Sequence, residues 1–412
     1  MNTFAIVGGS YAAVQAAISA RQHGYDGRIV VFSAEKQLPY HRPPLSKAFL
    51  SSEMPISRLW LRSEAFYQQH DIELALGEAV TELNLEQKSL RTNTQSPFYY
   101  DSVLLATGAS ALPLPWQENP LKGVYHLRDL ADAQQLKAAI STARKAVVIG
   151  GGFIGLEIAS TLATQGVHTT VIERGHQLAG RVVSPYLSSY LQTRHEKQNV
   201  RICLASQVVG FTHRQAVEGV VLADGRVLEA DLVVVGIGAK PNTQLVPALD
   251  PTGTQGVRVT SEAKTIVPHV LAAGDCACVE LHVDHPHRWL RLESVNAANE
   301  LGKAAGAVVA GQSEPFETAP WFWSDQYDLK LQMVGLALPD DRLVIRGQPD
   351  STRFSVFHLR PDGVVGAVQS VNRPAEHMLA RRLVHEKIAI DPPILKDDSI
   401  NLKDYISQQN AK

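Results

Sequence analysis

Short apolar runs bounded by glycine turns set the rhythm of this chain. Phe4 to Val7, Ile29 to Phe32, Ala146 to Ile149 and His168 to Ile172 have the length and texture of strands buried in a parallel sheet. Between the last two runs, Ile154, Ile158 and Leu162 recur at helical spacing and Gly166 marks a helix end. The same order of strand, turn, helix and strand leads from Phe4 through a helix ending near Gly24 to Ile29. Asp101 to Gly108 and Asp231 to Gly238 share an acid, an apolar run and a final glycine, and predict one return strand for each half. Pro268 to Asp275 is another apolar strand, ending in Gly-Asp. The proline-bearing segment from Leu112 through Asn119-Pro120 to Arg128-Asp129 reads as a linker. From about Trp321 the texture changes. Val344 to Ile345, Phe354 to Leu359 and Val364 to Val368 read as strands joined by polar turns such as Pro361-Asp362-Gly363, and a helix is expected over roughly Ala375 to Val384.

The turns carry candidate chemistry. Gly150, Gly152 and Gly155 follow a strand at G-x-G-x-x-G spacing, with Ile154 in the first helical turn. Gly150 permits the tight turn, Gly152 lets a pyrophosphate meet bare backbone, and Gly155 lets the helix sit close on the sheet. The helix N-terminus then offers unpaired N–H groups and a positive dipole end. Glu173 ends the next strand, placed to accept hydrogen bonds from an adenosine ribose, which favours NADH over NADPH; the neighbouring Arg174 weakens that preference. In the first half the fingerprint reads Gly8, Ser10 and Ala13, with Tyr11 and Ala12 between. Ser10 places a side chain where a phosphate should meet backbone. Either Gly9 and a small loop shift compensate, or the serine hydroxyl bonds the phosphate. Ala34 takes the expected strand-end position of the acid, and Glu35 follows it. The loop Leu38 to Lys47, stiffened by Pro43-Pro44, either holds a cation against a ligand or is a surface turn with solvated Arg42 and Lys47. Asp275 can accept hydrogen bonds from a polyhydroxyl chain such as the ribityl arm of a flavin; it also suits a helix N-cap. The expected fold class is α/β, with two Rossmann-like dinucleotide-binding domains and a small α+β C-terminal domain.

Composition narrows the setting. At 412 residues, with 39 basic and 41 acidic side chains and a formal net charge of −2, the chain has room for two or three domains and no general reason to bind nucleic acid or an anionic membrane. Three cysteines, Cys203, Cys276 and Cys278, make no disulfide framework, no secretory signal precedes the first strand, and no apolar run approaches ~20 residues; a soluble, cytoplasmic protein is expected. His282, Asp284, His285 and His287 lie close together, but their spacing matches no zinc pattern, so no metal site is expected.

Taken in order, Arg42-Pro43-Pro44-Leu45-Ser46-Lys47, Ala106-Thr107-Gly108, Gly150 to Glu157, Gly236-Ile237-Gly238 with Pro241-Asn242, Ala273-Gly274-Asp275, Arg291 to Val295 and Pro320 to Tyr327 cover almost the whole chain. This series resembles the bacterial ferredoxin reductases of aromatic-ring dioxygenases and soluble haem monooxygenases, a branch of the glutathione-reductase-like flavoproteins. The resemblance implies an FAD-binding domain over 1–110 and 237–318, an NAD-binding domain over 111–236 and a C-terminal domain over 319–412. It also implies FAD contacts for Gly8, Ser10, Ala12, Ala13 and Glu35 at the adenosine and pyrophosphate, and for Arg42 and Lys47 beside the isoalloxazine. Val80 would lie at the adenine, and Ala106, Thr107 and Gly108 along the flavin. Arg128 would meet the cofactor, Asp275 would hold the ribityl chain, and Val295 and Trp323 would approach the ring. For NADH it implies Gly150, Gly152, Ile154, Gly155 and Gly238 around the nucleotide, Glu157 toward the nicotinamide, and Glu173 with Arg181 at the adenosine half.

Hydride would pass directly between stacked rings, so no catalytic side chain is obligatory; Lys47, paired with Glu157, would support the charge developing on the reduced ring. The implied partner is a [2Fe–2S] ferredoxin that feeds a terminal oxygenase. Arg288, Arg291, Arg360, Arg373, Arg381 and Arg382 are candidates for its docking surface, and a monomer or homodimer is expected. No cysteine lies in the stretch Pro39 to Lys47, which argues against a disulfide reductase; Cys276-Ala277-Cys278 is read as buried small residues at the start of a helix. A rubredoxin reductase, a cysteine-free NADH oxidase, and a nicotinamide-responsive flavoprotein acting by binding remain as alternatives.

Overall fold

In the computed structural model, which describes residues 2–94, 97–117, 119–281 and 288–409, the chain divides into two compact units. One comprises residues 1–42, 54–110 and 239–318; the other comprises 43–53, 111–238 and 319–412.

The first unit is built on a five-stranded parallel sheet in the order Val270–Ala272, Ser102–Leu105, Thr3–Val7, Arg28–Ser33, Ile72–Leu76. Phe4, Ile6, Val103 and Leu104 are fully buried, as continuous apolar runs must be when both sheet faces are covered. Helices Tyr11–Gln22 and Val295–Val309 lie against each other. A Cβ on Gly302 would sit 2.5 Å from the Ala12 carbonyl oxygen, and one on Gly306 would sit 2.4 Å from that of Ala16. The two backbones approach closely because glycine and alanine line the seam. A three-stranded meander, Val80–Asn84, Ser89–Thr92 and Phe98–Tyr99, belongs to the same unit.

The second unit repeats the plan. Its parallel sheet runs Arg201–Cys203, His168–Ile172, Lys145–Ile149, Leu232–Val235, Val124–Tyr125. The segment expected as a plain linker thus supplies an edge strand at Val124–Tyr125, and Asp129 closes it with a capping box on helix Leu130–Ile140. Residues 319–412 form a five-stranded antiparallel sheet, Trp321–Gln326, Leu329–Gly335, Val365–Val371, Arg353–Leu359, Arg342–Gln348, with helix Pro374–His385 packed on it. Leu329, Leu331, Phe354 and Val371 of this sheet share one apolar core with Leu156, Ile158 and Leu162 of helix Phe153–Thr164, and with Leu50. That common core joins the expected second and third domains in one unit, and it draws residues 43–53 away from the 1–110 segment to which they were expected to belong.

One local expectation is corrected. Asp275 and Cys276 do not open a helix: Ala277–Leu281 is a strand, and the following helix begins at Val295, capped by the Ser294 hydroxyl. Periodicity on small apolar residues does not separate the two states, and pairing of Ala277, Cys278 and Val279 with Val257, Arg258 and Val259 selects the strand. Ile154, the first member of the helical stripe, is exposed at 48% because it lies in the open first turn.

Candidate functional site

The two glycine turns share one skeleton. The Gly8 N–H donates to Phe32 O at 2.8 Å and the Gly150 N–H to Ile172 O at 2.8 Å; the Ala106 N–H donates to Val7 O and the Gly236 N–H to Ile149 O. Gly8 has φ +124° and a Cβ there would meet Ala106 O at 2.0 Å; Gly150 has φ +111° and its Cβ would meet Gly236 O at 2.2 Å. Only glycine fits either place. A Cβ on Gly155 would lie 2.1 Å from Gly150 O, whereas one on Gly152 meets nothing within 4 Å. Gly152 and Ser10 occupy corresponding N-cap positions, and neither helix has a side-chain cap. Helices Leu130–Ile140, Pro185–Lys197 and Val295–Val309, by contrast, are capped by Asp129, Ser184 and Ser294. The first-turn N–H groups at the two turns are left for an anion, and a dinucleotide pyrophosphate fits both.

The acids differ. Glu173 Oε2 accepts from the Gly151 N–H at 2.8 Å and Oε1 from the Gly175 N–H at 2.7 Å, so its own turn orients it. The register that pairs Val7 with Phe32 and Ile149 with Ile172 makes Ser33, not Ala34, the counterpart of Glu173. Ala34 is exposed, and Glu35 stands beyond it, held by Arg42 Nη2 at 2.6 Å and the Tyr40 hydroxyl at 2.5 Å. Arg42 also donates to Ser10 Oγ at 3.4 Å and lies over the Tyr40 ring. The loop therefore brings Arg42, Glu35 and Ser10 together at the first turn.

Further along the first unit, the Thr107 hydroxyl donates to Asn242 O at 2.6 Å, the Asn242 amide returns a bond to Thr107 O, and the Asn242 N–H reaches Gly108 O. The bonds fix the Thr-Gly turn beside buried Ala106. Ala12 and Ala13 are buried in helix Tyr11–Gln22; Asp275 is half-buried between strands Val270–Ala272 and Ala277–Leu281, and Val80 and Val295 are half-buried at the starts of their elements. Cys276 is fully buried, donates to Leu105 O and has its thiol pKa pushed up by burial, which makes it unreactive.

In the second unit, Lys47 Nζ lies 2.8 Å from Glu157 Oε2 and 3.3 Å from Pro43 O. Glu157 is 2% exposed, and its charge is met on both oxygens: Ser46 donates to Oε2 at 2.5 Å and Ser324 to Oε1 at 2.6 Å. A buried carboxylate with three donors is satisfied rather than stranded. Neither serine stands out in the sequence as a partner of Glu157, although Ser46 lies in Arg42 to Lys47 and Ser324 in Pro320 to Tyr327; a serine inside Trp-Phe-Trp-Ser is the available signal. Trp323 is half-buried on strand Trp321–Gln326, Arg128 is half-buried and its N–H donates to Asp132, Gly238 has φ +125°, and Arg181 is exposed.

Of the docking candidates, Arg360 is removed: it is buried, with Nη1 on Asp341 Oδ2 at 2.5 Å and Nη2 on Leu336 O. Arg291 is paired with Glu293, Arg373 with Glu376 and Asp398, and Arg382 with Glu386, while Arg381 lies over the Trp321 ring at 4.9 Å. The side chain of Arg288 and the cluster His282, Asp284, His285 and His287 lie outside the described residues.

Similarity to known proteins extends over both units. The family described as "Pyridine nucleotide-disulphide oxidoreductase" matches residues 2–302, and "Reductase C-terminal" matches 321–406. The chain is 35% identical to putidaredoxin reductase from Pseudomonas putida, over 99% of this chain and 97% of that one. It is 37% identical to the ferredoxin reductase subunit of the 5,5'-dehydrodivanillate O-demethylase of Sphingobium sp., over 98% of each. A solved covalent complex of putidaredoxin reductase with putidaredoxin superposes with a TM-score of 0.94 at 34% identity, covering 100% of this chain and 99% of that one.

Proposed function

The chain belongs to the pyridine nucleotide-disulphide oxidoreductase family, and from that premise we propose that it passes electrons from NADH through FAD to a [2Fe–2S] ferredoxin serving an oxygenase. The observation that carries this reading is the duplicated turn: two uncapped helix N-termini, each behind a glycine that no other residue can replace, give one chain two dinucleotide cradles. FAD at the first would be held by Gly8, Ser10, Glu35, Arg42, Thr107, Gly108 and Asp275. NADH at the second would be held by Gly150, Gly152, Gly155 and Glu173. Bound flavin supplies the conversion of a two-electron donor into single-electron transfers.

The chain's own residues then position and screen. Glu157 keeps the Lys47 ammonium in place, and Lys47 presents fixed positive charge where negative charge develops. Glu173, already taking two backbone N–H groups, keeps acceptor lone pairs for ribose hydroxyls and disfavours a 2′-phosphate. Electrons do not leave through a disulfide of this chain: the three cysteines are buried and free, and none lies in the stretch 39–47. Among the described residues no helix is long and apolar enough to cross a membrane; a cytoplasmic setting and a monomer or homodimer belong to the proposal. Arg381 and Arg382 are the proposed ferredoxin contacts on helix Pro374–His385, near exposed Met378.

Anaerobic stopped-flow absorbance tests the reading. NADH should bleach the yellow protein rapidly, and a [2Fe–2S] ferredoxin should restore the colour as it is reduced. Bleaching to a long-wavelength complex that ferredoxin does not discharge would replace this reading with a nicotinamide-binding role. Reversing Arg381 and Arg382 together should raise the ferredoxin KM about tenfold and leave ferricyanide reduction unchanged.

A further inference from the structure

The hydrogen bonds on Glu157 continue well past Ser324. Gln326 lies two residues along the same strand, on the same face, and both side chains are buried. Its amide N–H donates to Ser324 Oγ at 3.2 Å, and its amide oxygen lies 2.9 Å from His195 Nε2. An amide oxygen only accepts, so Nε2 carries the imidazole proton; Nδ1 then accepts from the Tyr327 hydroxyl at 3.0 Å. Tyr327, His195, Gln326 and Ser324 thus form a series in which every donor points toward one carboxylate. Burial of His195, which is fully enclosed, lowers its pKa and keeps the ring neutral, and burial raises that of Tyr327, so that the hydroxyl remains a donor. Aligned donors polarise one another in a low-dielectric interior.

We propose that this series is a positioning device: it fixes the Glu157 carboxylate against Lys47 and Ser46, and so holds the Lys47 ammonium as a fixed positive charge for the reaction. The proposal rests on Lys47 acting beside the bound flavin. Electron density drawn from Glu157 along the series leaves more of the Lys47 charge uncompensated, and an anchored carboxylate prevents Lys47 from wandering. Loss of any member therefore disfavours the reduced cofactor, by less the farther the member lies from Glu157.

The test is the midpoint potential of bound FAD, titrated against a reference dye. Ser324→Ala should lower the two-electron reduction equilibrium about tenfold, or ~30 mV. Gln326→Leu should lower it about fivefold, ~20 mV, and Tyr327→Phe, which keeps the ring, about threefold, ~15 mV. Ser324→Thr retains the hydroxyl and should restore the potential. Lys47→Met separates the two layers of the argument. If it leaves the potential where it was, the reading of Lys47 is wrong and the proposal falls with it. If it lowers the potential while Gln326→Leu and Tyr327→Phe leave it unchanged or raise it, the series is only structural and the proposal alone fails.

Discussion

The turn at residues 8–13 and the turn at residues 150–155 share one frame of backbone hydrogen bonds and reach their acid by different means. In the second, Glu173 follows its strand directly and is oriented by two N–H groups of neighbouring backbone. In the first, Ser33 holds that position, and the carboxylate comes from Glu35, secured by side chains of a separate loop, Tyr40 and Arg42. The N-cap position also differs: bare at Gly152, hydroxylated at Ser10. A cradle's geometry is thus set by the strand register and one positive-φ glycine, Gly8 or Gly150, whereas its ligand contacts can be supplied from elsewhere.

The strongest break should come at the shared element. Gly8→Ala and Gly150→Ala each force a side chain into a carbonyl and into a left-handed backbone region, costing of order 1–3 kcal/mol in strain alone. Calorimetry should show both midpoints fall by roughly 5–10 °C, with FAD lost from the first variant and NADH binding from the second. Near-normal stability in either would mean that the turn yields and the parallel between the two is superficial.

The acids separate the cradles more finely. Glu173→Ala strands two backbone donors and removes the ribose acceptor, so the NADH KM should rise about 30-fold, near 2 kcal/mol, with flavin content unchanged. Glu35→Ala leaves Tyr40 and Arg42 available as donors, and FAD affinity, measured by fluorescence on dilution, should fall only about tenfold. Equal losses would erase the distinction between backbone-held and loop-held acids.

Exchanging the third difference should have the smallest effect. Gly152 faces open space, so Gly152→Ser should leave stability within about 0.5 kcal/mol while raising the NADH KM several-fold. Ser10→Gly should change FAD affinity by no more than about threefold, because Arg42 keeps its grip on Glu35. A collapse of FAD binding in Ser10→Gly would show instead that the serine hydroxyl is itself a phosphate ligand.

Much of this architecture was written in local pattern. Apolar runs at 4–7, 29–32, 146–149 and 168–172 became parallel strands within a residue or two of their expected ends. The turns were legible because a left-handed φ beside a carbonyl leaves glycine as the sole choice. Where local signals are degenerate the sequence does not decide. Ala-Cys-Val-Glu-Leu is compatible with helix or strand until a neighbouring strand pairs with it, and Arg360 looks like a surface cation until Asp341 encloses it.

The sequence alone therefore determined the two dinucleotide halves, their glycine turns and the resemblance that follows from the order of motifs, since these depend on residues near one another in the chain. Tertiary structure decided the rest. Glu157 receives Ser46 from 111 residues away and Ser324 from 167, segment 43–53 joins the second unit, and Ser33 rather than Ala34 faces the first turn. Each of these depends on register and packing between distant segments, and chain-local periodicity carries no information about which distant segment will arrive.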